Sequence, residues 1–143
     1  MSSYEAVLLL GSNLGDKKKN IEDAVKLLKE NRLVFLKKTE IVETKPIEFA
    51  SSNYFCNFAA VVETDFSPIQ LLMLAKQIEV LMGRARDSYE LGKFMDRVID
   101  IDIVNYGNLR FFSDRLTIPH ERHFQREFSL ALLDKLKTKK HKL

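Results

Sequence analysis

The chain has no tryptophan, one cysteine, three prolines and five glycines in 143 residues. A lone Cys56 excludes an intramolecular disulfide and a zinc cluster built on cysteine, and it points to a reducing compartment, expected to be the cytoplasm. So few glycines and prolines exclude a collagen-like or low-complexity chain. Long hydrophobic runs are missing too. Stretches such as Ala6 to Leu10 fall far below the roughly 18 to 20 residues of a membrane helix, and the N-terminus has no signal-peptide pattern, so no membrane partner is expected. Charge of one sign is lacking over most of the length. The formal net charge is +3, but residues 134–143 hold five Lys and one Asp. Residues 1–133 carry 18 basic and 19 acidic groups, so the basicity belongs to the end of the chain and argues for no nucleic-acid partner.

What is present is a globular composition, 45% apolar and 30% charged, at the length of one domain with one core. Residues 1–133 are expected to form that domain, followed by a Lys-rich tail at 134–143, with no room for a fused second enzyme. A monomer is expected. Glu5 to Leu10 suits a buried strand broken by Gly11, and Gly11-Ser12-Asn13-Leu14-Gly15-Asp16 reads as a turn that places Asp16 as a helix cap. Ile21, Ala24, Val25 and Leu28 then recur with helical spacing. Leu33 to Thr44 reads as one extended strand, and Phe58, Ala60, Val62 and Thr64 alternate along another. Ser67, Pro68 and Gln70 predict a capping box opening a helix whose inner face is Ile69, Leu72, Ala75, Ile78 and Met82, ending at Gly83. Arg84 to Arg97 reads as a long loop. Val98 to Tyr106 is a strand, Gly107-Asn108 a hairpin turn into Leu109 to Phe112, and the remainder a short strand, a basic turn and a terminal helix. Strand, helix, two strands, helix, strand is the order of a ferredoxin-like α/β sandwich of the α+β class, an antiparallel sheet with helices packed on one face.

Asp100 and Asp102 stand two apart on a strand, so both carboxylates project from one face with Cα atoms about 7 Å apart. That spacing can hold a pair of divalent ions, and hard oxygen ligands suit Mg²⁺. It is equally the pattern of a half-exposed strand facing solvent. Arg84, Arg86, Lys93 and Arg97, with Arg115, His120, Arg122, His123 and Arg126, form either a solvated charged surface or a set of cations matched to a nucleoside triphosphate. His120 is equally well a structural histidine. Phe55 and Phe128 are either core residues or platforms for a flat heterocycle, and Asn57 offers donor and acceptor on one side chain. Gly11 to Gly15 lacks both common phosphate-loop patterns and reads as a strand-to-helix turn.

Taken in chain order, Gly11-Ser12-Asn13-Leu14-Gly15-Asp16, Glu43-Thr44-Lys45-Pro46, Phe55-Cys56-Asn57, Ile78-Glu79 with Gly83-Arg84-Ala85-Arg86, Arg97-Val98-Ile99-Asp100-Ile101-Asp102-Ile103, and Leu116-Thr117-Ile118-Pro119-His120 with Arg126 and Phe128 resemble the 6-hydroxymethyl-7,8-dihydropterin pyrophosphokinase family. The resemblance implies the ferredoxin-like fold, ATP and the hydroxymethyl pterin as small-molecule substrates, and transfer of pyrophosphate from ATP in folate biosynthesis. It implies that Asp100 and Asp102 bind two Mg²⁺ and that Arg84 and Arg97 engage the triphosphate. It implies a pterin site of Thr44, Pro46, Ile47, Phe55, Asn57 and Phe128. For ATP it points to Leu72, Lys76, Glu79, Arg86, Ile103, Arg115, Leu116, Thr117, His120 and Arg126, beside Arg84 and Arg97. The chain departs from the family pattern at Lys76, Asp96 and Glu121. A non-catalytic RNA-binding module of the same fold is the reading from another class; against it, the aromatic and basic pattern of such sheets is missing. An enzyme of the same fold with another nucleotide or acceptor is the third.

Overall fold

A computed structural model describes residues 3–44, 54–83 and 97–138. Their elements run β1 (Tyr4–Ser12), α1 (Lys17–Glu30), β2 (Val34–Lys38), β3 (Val42–Thr44), β4 (Phe55–Thr64), α2 (Pro68–Leu81), β5 (Asp100–Tyr106), β6 (Phe111–Phe112), β7 (Thr117–Ile118), a 3-10 turn at Arg122–Phe124, and α3 (Glu127–Thr138). The main sheet has the order β2-β4-β1-β5, with β3 continuing beside β4, and every pairing is antiparallel. This is the ferredoxin-like arrangement the element order predicts. No described helix is long and apolar enough to cross a membrane.

Alternation assigns the faces. Ala6, Leu8 and Leu10 of β1, Phe58, Ala60 and Val62 of β4, and Ile99, Ile101 and Ile103 all turn into the core shared with α1 and α2, none more than 5% exposed. Burying each of the Leu, Ile, Val and Phe side chains among them contributes roughly 2 kcal/mol. The opposite face is covered as well: Leu9, Ala59 and Val104 pack under Leu132 and Leu136 of α3. The expectation of helices on one face is corrected here, and the reason is legible in the consecutive run Leu8-Leu9-Leu10. A strand that is apolar on both sides needs a cover on both.

Local chemistry explains the helix ends. Asp16 Oδ1 accepts from Lys19 N at 3.2 Å and starts α1. At α2 the Ser67 hydroxyl accepts from Gln70 N while Gln70 Oε1 accepts from Ser67 N, the reciprocal box predicted for this segment. The buried stripe of α2 is Leu71, Leu72, Leu74, Ala75 and Ile78. Ile69, expected on that face, is 44% exposed because it lies about 200° around the helix from Leu71.

Two other expectations are also corrected. The single strand expected over residues 33–44 is two strands, since Thr39 turns inward: its hydroxyl donates to Glu40 O and accepts from Ala59 N, replacing ladder contacts between β2 and β3. The turn at Gly107-Asn108 forms, closed by Leu109 N donating to Tyr106 O, but β6 pairs with β7 and not with β5. The outer edge of β5 is already engaged, by Glu79 Oε2 at Ile101 N and by His120 N at Val104 O. At the other end of the chain, α3 runs through residue 134 to Thr138, with Leu136 buried.

Candidate active site

The register of β1 gathers the chemistry. Gly11 pairs with Asn57 of β4 on one side and with Asp100 of β5 on the other, while Leu9 pairs with Asp102. Residues directly opposite in an antiparallel sheet share a face. Phe55, Asn57, Gly11, Asp100 and Asp102 therefore share the α3 face at one end of the sheet. Gly11 is the bare residue in the middle. A Cβ there would lie 3.0 Å from Asn57 Oδ1 and 3.8 Å from the Phe55 ring, so the bare glycine permits the close approach of the Asn57 amide to β1. The turn expected from Gly11 begins later: Gly11 is a paired strand residue, and β1 continues to Ser12.

Asn57 is 3% exposed, and its Nδ2 donates to Thr44 Oγ1 at 2.7 Å. That bond fixes which end of the amide is which: the nitrogen points to β3 and Oδ1 faces the Gly11 gap. Phe55 on β4 and Phe128 at the start of α3 are both partly exposed. The guanidinium of Arg126 lies over the Phe128 ring at 6.0 Å.

On the other side of Gly11, Arg97 Nη1 meets Asp100 Oδ1 at 3.1 Å, with both side chains about three-quarters or more buried. Arg97 is itself clamped by Asn13, a residue the sequence reading did not single out. Asn13 Oδ1 accepts from Arg97 N at 2.7 Å, and Asn13 N donates to Arg97 O at 3.0 Å. Asn13 is fully buried.

Asp102 Oδ2 accepts from His123 Nε2 at 2.7 Å, and His123 Nδ1 lies 2.7 Å from Ser129 Oγ. His120 Nε2 is 3.8 Å from the same carboxylate oxygen, and the two imidazoles lie 4.3 Å apart. Burial pushes the Asp102 carboxyl up, but the hydrogen bond and charge of His123, with the charges of His120 and Arg122, outweigh it and hold the group at about 2. Burial keeps His120 below the ordinary imidazole value, against the pull of Asp102. Asp102, His120 and His123 are the one cluster of three potential metal donors among the described residues. Its 2.7 Å contact is a hydrogen bond, because two donors on one tetrahedral ion stand roughly 3.3 Å apart.

The sign of the Asp102 shift sets a stability prediction. A carboxyl lowered from 3.8 to about 2 adds stability in full above its unfolded value and loses it as pH falls through about 2. The stability advantage of the wild type over Asp102→Asn should shrink by on the order of 2 kcal/mol between about pH 5 and pH 2. Urea unfolding of both proteins across that range checks it; a gap that does not change with pH contradicts it.

The remaining expected ATP residues fall around β5. Glu79 is 1% exposed; its Oε2 accepts from Ile101 N at 2.8 Å, between the two aspartates, and its Oε1 is 3.6 Å from Lys76 Nζ. Leu72, Ile103 and Leu116 are buried, Thr117 is half-buried on β7, and Arg115 is exposed. Arg84, Arg86, Pro46 and Ile47 lie outside the described residues. Cys56 is buried and its thiol is pushed up by that burial, which leaves it no part as a nucleophile.

A family model described as 7,8-dihydro-6-hydroxymethylpterin-pyrophosphokinase (HPPK) matches residues 7–138. The chain is 34% identical over 129 residues to the 2-amino-4-hydroxy-6-hydroxymethyldihydropteridine pyrophosphokinase of Bacillus subtilis (strain 168), covering 90% of this chain and 75% of that one. It is 37% identical over 132 residues to the mitochondrial folate synthesis bifunctional protein of Arabidopsis thaliana, covering 92% of this chain and 23% of the relative. It spans about a quarter of the length of the plant bifunctional relatives it matches. Among solved structures, wild-type Plasmodium falciparum HPPK-DHPS with SDX-DHP superposes with a TM-score of 0.68 at 18% identity, over 93% of this chain and 40% of that one, which shows the shared fold. By the matched family model and the identity to these relatives, the chain belongs to the 7,8-dihydro-6-hydroxymethylpterin-pyrophosphokinase (HPPK) family.

Proposed function

We propose that the chain transfers the pyrophosphoryl group of ATP to the hydroxymethyl oxygen of 6-hydroxymethyl-7,8-dihydropterin, giving the pterin diphosphate and AMP, a step of folate biosynthesis. The observation that carries this reading is the strand register at Gly11, which sets an amide and a phenyl ring on one side and two carboxylates with a clamped arginine on the other, all on one face of the sheet. In the reaction the hydroxymethyl oxygen forms a bond to the β-phosphorus. The bond from that phosphorus to the α,β-bridging oxygen breaks, its electron pair leaves with AMP, and the hydroxyl proton is lost. There is little covalent work for the protein in such a transfer; it positions the two substrates and offsets charge.

Asn57 Oδ1, facing the Gly11 gap, accepts hydrogen bonds from the pterin edge, and Phe55 and Phe128 supply apolar faces for the ring. Asp100 and Asp102 would hold Mg²⁺. The donor set fits, since both groups offer hard oxygens from one face, and Asp102, held at about 2, is ionised at neutral pH as a metal ligand must be. Held by these two carboxylates, Mg²⁺ would supply charge compensation for the triphosphate and Lewis acidity toward the hydroxymethyl oxygen. Arg97 faces phosphate oxygens from beside Asp100, with Arg84, Arg86 and Arg126 as further cations. Glu79 holds the β5 backbone between the two aspartates.

Incubation with ATP, Mg²⁺ and the hydroxymethyl pterin tests the reading: AMP should form only when the pterin is present. ADP as the product, or AMP formed without pterin, contradicts it. The close approach at Gly11 makes a second prediction. Gly11→Ala places a methyl group against Asn57 Oδ1, so the KM for the pterin should rise about tenfold or more, with a much smaller change in the KM for ATP. Steady-state kinetics with each substrate varied in turn checks this; equal effects on both would place Asn57 elsewhere in the mechanism.

A further inference from the structure

We propose that His123, held by Ser129, is a positioning residue that fixes the Asp102 carboxylate for divalent-cation binding and keeps it in register with the turn that carries Arg126 and Phe128. The inference rests on the assignment of Asp102 as a metal ligand in the proposed function and goes beyond it to two residues that no comparison assigns.

A carboxylate on a strand can rotate, and each rotation moves its oxygens by an ångström or more. Here Oδ2 is committed to His123 Nε2 at 2.7 Å. An ionised carboxylate only accepts, so Nε2 carries the hydrogen, and in the neutral ring Nδ1 accepts from the Ser129 hydroxyl at 2.7 Å. His123 is 3% exposed and Ser129 is fully buried in the first turn of α3, so neither of these two residues has water as an alternative partner. The His120 ring, 4.3 Å from the His123 ring with Nε2 3.8 Å from Oδ2, stands against the same oxygen. Oδ1 is the oxygen this chain of bonds does not use, and it is the one assigned to the cation. The groups that support a metal ligand in this way commonly govern affinity about 10- to 100-fold.

The same bonds tie three elements together. Asp102 lies on β5, His123 in the 3-10 turn and Ser129 on α3. Arg126 and Phe128 lie between the two bonded residues, so the contact from His123 to Ser129 closes the short segment that carries them. A cation held by Asp102 is then placed at a fixed distance from a phosphate-facing guanidinium and a ring-stacking phenyl group. Asp102 and His123 are 21 positions apart and the interval crosses β6 and β7, which is why no sequence spacing announces the link.

The test is direct Mn²⁺ binding to the full chain, read by electron paramagnetic resonance in the presence of α,β-methylene ATP, for wild type, His123→Leu, His123→Gln, Ser129→Ala and Asp100→Ala. His123→Leu should weaken Mn²⁺ binding about 10- to 100-fold, and Ser129→Ala by a smaller factor. His123→Gln, whose Nε2 can replace the imidazole donor, should recover most of the loss. In turnover, the half-saturating Mg²⁺ concentration should rise by the same factors while kcat at saturating Mg²⁺ stays within a few-fold of wild type. Damage to the fold alone would lower kcat at every Mg²⁺ concentration and leave half-saturation in place. Unchanged Mn²⁺ affinity in Ser129→Ala and in a folded His123→Leu, or a Gln variant as weak as Leu, overturns the inference while a loss of binding in Asp100→Ala leaves the metal site standing. If Asp100→Ala also binds Mn²⁺ normally, the metal assignment itself fails, and the inference with it.

Discussion

Asp100→Ala and Asp102→Ala are each expected to lower turnover by about a thousandfold or more at saturating Mg²⁺. Several kcal/mol of transition-state charge stabilisation depend on a correctly held cation, and about 4 kcal/mol corresponds to three orders of magnitude in rate. The two variants should differ in stability. Asp100 loses an ion pair with Arg97 that is partly open to solvent, worth about 1 kcal/mol or less. Asp102→Ala leaves His123 Nε2 without its acceptor inside a buried cluster, at a cost of about 1 to 3 kcal/mol. Steady-state rates over a Mg²⁺ series, with thermal unfolding of the same samples, separate the two effects. Near wild-type turnover in either variant would remove that carboxylate from the proposed site.

Asn13→Ala should come next, with kcat/KM falling about a hundredfold. The side chain touches no reacting atom in the proposed mechanism. Its amide oxygen holds Arg97 N across 84 positions of sequence, and its own N–H holds Arg97 O. Removing the side chain leaves the Arg97 N–H without that acceptor, costing about 1 to 3 kcal/mol of stability. It also frees the backbone that aims Arg97 at Asp100, and displacement of a positioned group by about 1 Å can cost a hundredfold in rate. The rate should therefore fall further than the stability loss explains, because the folded population at the assay temperature remains high. A rate that tracks the folded fraction, measured by urea titration beside the kinetics, would reduce Asn13 to a purely structural role.

Much of this fold was legible because it is written in short-range chemistry. Asp16 and the Ser67–Gln70 box are local hydrogen bonds between neighbours in sequence, and they start α1 and α2 as their residue types require. The alternation Ile99, Ile101, Ile103 against Asp100 and Asp102 is likewise local, and it puts the carboxylates on the side away from the core of α1 and α2. What was hidden depends on register between distant segments. Gly11 looks like a turn residue until its partners are known to be Asn57 and Asp100. Thr39 looks like one more β-branched strand residue until its hydroxyl is found on Ala59 N. Phe111 and Phe112 looked like the return strand of a hairpin because the sequence does not reveal that β5 has its outer edge engaged by Glu79 and His120. His123 reads from sequence only as one more candidate cation and Ser129 gives no signal, since a histidine in a basic turn and a serine in a helix are ordinary until register brings a strand carboxylate beside them.

The proposed reaction differs from an ordinary kinase reaction in one bond, and phosphorus NMR of the pterin product reads that bond directly. With ATP, Mg²⁺ and the hydroxymethyl pterin as the only substrates, the product should show two coupled phosphorus resonances, the former β- and γ-phosphates transferred as one unit, with AMP appearing in equal amount. A pterin carrying a single phosphorus, with ADP beside it, would mean attack at the γ-phosphate and would contradict the account.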